Sequence, residues 1–188
     1  MRFTLKRATA VVTAFVFLWT GLVLASPRMT PSEESAYSIE RASRLLSEIQ
    51  DEAVGLTRNA GQLEALARHP QYSWQSHATY LEAVKGHINA VGDRTAELQR
   101  ISRDALPWQQ QAIKQVTSHA AQVATHTQAA ILYLSDNHNR LFVPEYKDHV
   151  AMIADSSQSM SQTVDKFLDY EQAQQKFQRL QTQLELAE

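Results

Sequence analysis

Apolar residues in this chain return alternately every third and every fourth position, and that spacing admits helices and little else. In the first such stretch Ile39, Ala42, Leu46, Ile49, Ala53, Leu56, Ala60, Leu63 and Ala67 keep to it without interruption. An α-helix turns once in about 3.6 residues. The spacing therefore lays one apolar seam along one face and fits it against neighbouring helices at a shallow angle. In a strand the same residues would scatter over both faces.

Proline and turn residues divide the seams. Thr30-Pro31-Ser32-Glu33 is a helix start: a hydroxyl to cap, proline at the first helical position and a glutamate three residues after the cap. His69-Pro70 is a stop, because the residue before proline is pushed out of the helical region. Ser73 opens a second seam through Trp74, His77, Leu81, Val84, Ile88, Val91, Thr95, Leu98, Ser102 and Ala105. A third carries Ile113, Val116, Ala120, Val123, Thr127, Ala130 and Leu134. Residues 136–143 (DNHNRLFV) read as a loop, and Pro144 starts a fourth helix with Tyr146, Val150, Ile153, Ser157, Met160, Val164 and Phe167 inward.

Four helices follow, near 31–68, 73–105, 107–136 and 144–186. Short connections make sequential helices antiparallel, which predicts an all-α, up-down-up-down four-helix bundle. Pro107 is the weakest joint, since Ala105, Leu106 and Trp108 around it offer no polar cap. A reversal is still expected there, because one kinked rod would leave its seams half uncovered. Gly55 and Gly86 stand equally far from the first connection, so they are expected to mark a close approach of the first two helices.

The first 25 residues have the three parts of a secretory signal. Arg2, Lys6 and Arg7 precede an uncharged run from Ala8 to Ala25, which ends in Val23-Leu24-Ala25 before Ser26. The reading is an exported, periplasmic or secreted protein cut after Ala25, leaving a single domain over 26–188. The alternative is an uncleaved membrane anchor, since 18 uncharged residues approach the roughly 20 that span a bilayer. Cleavage would leave 15 basic against 20 acidic side chains, a net charge of −5. An acidic domain without a basic stripe argues against nucleic acid and anionic lipid. The absence of cysteine excludes disulfides, thiolate metal sites and c-type haem attachment.

No catalytic acid/base pair or nucleophile elbow can be read, and the carboxylates fall outside the seams. Glu-x-x-His, which a carboxylate-bridged di-metal bundle carries twice, does not occur, and the nearest approach is Glu145-x-x-x-His149. No cofactor is required by any motif. Seven histidines are the one compositional feature that invites chemistry. Antiparallel threading puts His69, His77, His138 and His149 at one end with Glu145. There they form a candidate site for divalent zinc, copper or nickel, or ordinary helix-end polar groups. His87, His119, His126 and Met160 fall about 15–25 Å below that end by helical rise. A histidine and a methionine at one height is how a bundle can hold haem b without a covalent link. Tyr72, Trp74, Tyr133, Phe142 and Tyr146 are expected at the histidine-rich end, as an apolar plug or a ligand patch.

The fourth helix, at roughly 43 residues against roughly 30 for the second and third, overhangs them by about 20 Å. Its seam continues through Tyr170, Ala173, Phe177, Leu180, Leu184 and Ala187. A seam of that kind on an overhang is expected to pair with a protein partner or a second copy, or else to fray. The functional reading from sequence is a non-enzymatic binding or structural protein of the cell envelope, with a metal or haem carrier as the alternative.

Overall fold

The computed structural model describes residues 31–186, an all-α antiparallel four-helix bundle with no strand among them. The stretch 1–25 expected to be a signal, Thr30 and Ala187 lie outside the described residues. The helices are α1 (Pro31–Ala67), α2 (Trp74–Ile101), α3 (Pro107–Asp136) and α4 (Pro144–Glu185). Each packs on its neighbours in sequence, and α4 closes the ring against α1. Cross-helix partners confirm the directions. Arg41 meets Glu97 while Glu52, further along α1, meets His87, earlier in α2. Ser43 meets Glu171 and Gln50 meets Ser161, so α1 and α4 are antiparallel as well.

The seams form the core. Ala42, Leu46, Ile49, Ala53, Leu56, Ala60 and Leu63 of α1 have no exposed surface, and neither have Val150, Ile153, Met160 and Val164 of α4. The ends of the seams are looser: Ile39 and Phe167 are only partly buried, and Trp74 is 37 % exposed. Ser73 caps α2 by accepting from the Ser76 N–H.

The chain reverses at Pro107. α2 ends at Ile101, earlier than the apolar spacing predicts, and tightens into one 3₁₀ turn over Ser102–Asp104. The cap missing from the flanking residues comes from Gln109. Its Oε1 accepts from the Leu106 N–H at 2.9 Å, and its Nε2 donates to the Ile39 carbonyl at 2.9 Å and to Ser43 Oγ at 3.0 Å. A fully buried glutamine is tolerated because both ends of its amide are satisfied. It ties the turn to α1.

The glycine expectation divides. A Cβ on Gly55 would lie 2.5 Å from His87 Cε1, so α1 does give way there to a side chain of α2. Gly86 has open space instead and marks no close approach. It faces outward because His87, not its neighbour, is the residue turned toward α1. Gly61 is equally open. Gly61→Ala and Gly86→Ala should each raise unfolding free energy by about 0.5–1 kcal/mol, the helix-propensity gain with nothing in the way. Gly55→Ala should show no such gain, because the methyl displaces the His87 ring. Urea melts of the three variants check this, and equal gains at all three sites would contradict it.

Candidate functional site

Two kinds of surface carry polar chemistry or exposed apolar area, and the histidines expected to share a site go to different partners. Among the described residues no three histidine or carboxylate groups converge as a metal site. Of the end set, His69 sits edge-on to Tyr72, and His138 stacks on Trp74 with ring centres 4.3 Å apart. His77 is fully buried, and its Nδ1 shares a 3.0 Å hydrogen bond with Tyr146 Oη. His149 turns to His126, one of the mid-bundle set, with Nδ1 atoms 3.1 Å apart. Glu145 is exposed on the groove beside it.

The mid-bundle set is dispersed too. His87 bonds Glu52 across to α1 at 2.8 Å, His119 touches Thr163 of α4 at 3.5 Å, and Met160 is enclosed in the core. His87 and His119 thus serve different helix pairs, which explains why equal height along the bundle does not bring them together.

The aromatic end is a partial plug. Tyr146 is completely buried against Tyr133 and His77, with Leu141 beside the core. Tyr72 and Phe142 remain 43 % and 36 % exposed and do not join it. Burial pushes the Tyr146 hydroxyl above its ordinary range and holds the His77 imidazole below its ordinary 6.5. Both side chains are sealed from solvent in the folded chain.

Between α1 and α2 the carboxylates that fall outside the seams form a ladder that the apolar spacing does not predict. His87 meets Glu52, Glu52 also meets Arg94 at 3.5 Å, and Arg94 meets Glu48 at 3.0 Å. Arg41 then reaches from Glu48 to Glu97, the latter at 2.7 Å. The Arg41 hydrogen bond holds the Glu97 carboxyl below its usual range. The signal lay in the seam-flanking positions, where charges of opposite sign on neighbouring helices choose partners. The His87 ring occupies the space a Cβ on Gly55 would fill.

The second surface starts where α3 begins. Trp108 packs on Phe167 and edge-on to Tyr170, with ring centres 6.4 and 5.9 Å apart. Pro107, Gln111 and Lys166 complete a groove of about 510 Å³ around them. The Trp108 indole N–H is shielded there and meets no acceptor among the described residues. From the groove the stripe runs out along α4. Tyr170 is 47 % exposed, Phe177 62 %, Leu180 49 % and Leu184 71 %, and every described residue from Gln172 onward is exposed. The early turns of α1, where Tyr37 is 52 % exposed, do not cover it.

A histidine kept neutral by burial sets a pH window. Below about 6.5 the unfolded chain takes up a proton at His77 that the folded chain refuses, so stability falls as pH drops through that range. His77→Gln, which keeps an acceptor for Tyr146, should cost stability at pH 7.5 and narrow the gap to wild type at pH 5. A gap that stays constant across the window would contradict the assignment. Compared with known proteins, the chain matches no family model, no curated protein and no solved structure.

Proposed function

We propose that this chain is an exported, non-enzymatic binding protein of the cell envelope that works by helix-to-helix docking through the distal part of α4, with a second copy of itself as the occupant. The observation that carries this reading is the exposed stripe of Tyr170, Phe177, Leu180 and Leu184, which continues the core spacing of α4 beyond the last turn the bundle covers. Export rests on the segment pattern of residues 1–25. Among the described residues no helix is long and apolar enough to cross a membrane.

A second copy is favoured by what flanks the stripe. Gln174, Gln181 and Gln183 border it, and Lys176 falls opposite Gln181 in a parallel, in-register pair. No like charges then meet across the seam. A symmetric contact of this kind is isologous and closes at a dimer.

Magnitudes make the contact weak. A symmetric pair covers Phe177, Leu180 and Leu184 of both copies, and since each is roughly half exposed beforehand the gain is roughly 5–10 kcal/mol gross, at about 1.5–3 kcal/mol for a large side chain buried completely. Association costs about 4 kcal/mol or more in lost freedom. Pairing is therefore concentration-dependent, at micromolar levels or above.

Cutting the chain after Asp169 and measuring mass by light scattering over a concentration series tests this. The intact protein should move from monomer to dimer mass while the shortened one stays monomeric and melts slightly lower, because the cut takes Tyr170 from Trp108 and Glu171 from Ser43. Phe177→Glu with Leu184→Glu should stay monomeric like the cut chain. Equal masses for all three proteins at every concentration would overturn the reading.

A further inference from the structure

The contact between His126 of α3 and His149 of α4 joins two residues from different helices at a distance with two chemical meanings. Their Nδ1 atoms are 3.1 Å apart, with ring centres 5.4 Å apart and planes inclined at 44°. One meaning is a hydrogen bond between two neutral rings, one donating and one accepting. The other is the bite of a metal chelate. Two metal–nitrogen bonds of about 2.0–2.1 Å, opened to a near-tetrahedral angle, hold their nitrogens about 3.1–3.4 Å apart.

The surroundings favour a cation. His149 and Glu145, one helical turn earlier on α4, line a groove of about 550 Å³ at the α3–α4 connection. Asp136 also lines it, so two carboxylates stand against one guanidinium, that of Arg140. Both histidines are partly buried, which restricts the rings, and His149 borders the open groove. The backbone beneath is rigid, because Val150 and Ala130 next to the pair are core residues without exposed surface.

We propose that His126 and His149 form a cross-helix clamp for a divalent transition-metal ion of the copper, nickel and zinc group. The two imidazoles supply the nitrogen ligands. Water completes the coordination, and Glu145, which lines the same groove as His149, adds negative charge beside it. Imidazole selects these ions over magnesium and calcium, which take oxygen ligands. A clamp of two histidines binds only the folded chain, since it is assembled from two helices, and so it stabilises the α3–α4 pair when loaded.

The test is thermal melting of tag-free protein with Ni²⁺ or Cu²⁺ at increasing concentration, with Mg²⁺ as the oxygen-seeking control. Nickel and copper should raise the melting temperature by about 5–10 °C at a hundredfold excess over the dissociation constant, and EDTA should reverse the rise. Mg²⁺ should have no effect. His126→Ala and His149→Ala should each abolish the rise, Glu145→Gln should weaken it, and the exposed pair His69→Ala/His138→Ala should leave it intact. As a check that needs no variant, Ni²⁺ should broaden the ring proton resonances of His126 and His149 before those of the other histidines. No rise with either ion at 1 mM, a rise that survives His149→Ala, or broadening that begins elsewhere would reduce the contact to a hydrogen-bonded pair and overturn the proposal.

Discussion

Mutual coverage of apolar seams is the constraint on which the bundle depends. The chain has no cysteine, so its helices are held together by packing. A lone amphipathic helix gains little from its own hydrogen bonds and is stable in water mainly when its apolar face is covered. Coverage here comes from a ring in which α1 packs on α2, α2 on α3, α3 on α4 and α4 on α1. The charged ladder from His87 to Glu97 runs along one edge of that ring. Half-exposed ion pairs of this kind add little to stability, about 0–1 kcal/mol each. Their use is to fix which residue of α1 lies against which residue of α2.

The core was legible from period alone because it uses one rule throughout. A residue three or four positions from a buried one, on the same side, is buried too, and Ala42 to Val164 follow this with few departures. The departures have local causes. Gln109 could not be recognised as core from an apolar pattern, since it is buried to cap α3 and bind α1. Leu45 lies beside the α1 seam rather than on it and is nevertheless enclosed.

The side-chain partnerships were much less legible. Counting residues from a connection gives height along the bundle, but it does not give the direction a side chain takes around its helix. Gly55 and Gly86 stand at one height, yet the contact is between Gly55 and His87. The histidines fail in the same way. His69, His77, His138 and His149 reach the same region but turn to Tyr72, Tyr146, Trp74 and His126. A shift of one turn in the α3–α4 register would separate His126 from His149, and the spacing of neither helix fixes that register.

On α4 one pattern meets two fates. Up to Phe167 the three-four spacing is covered by other helices, and from Gln172 onward the same spacing stands in water. Amide hydrogen exchange along α4 at low and high protein concentration separates a docking surface from a fraying end most directly. Docking predicts that amides of residues 172–185 exchange quickly in dilute solution and become protected as concentration rises, while those of residues 150–164 stay slow throughout. Rapid exchange over residues 172–185 at every concentration would contradict it.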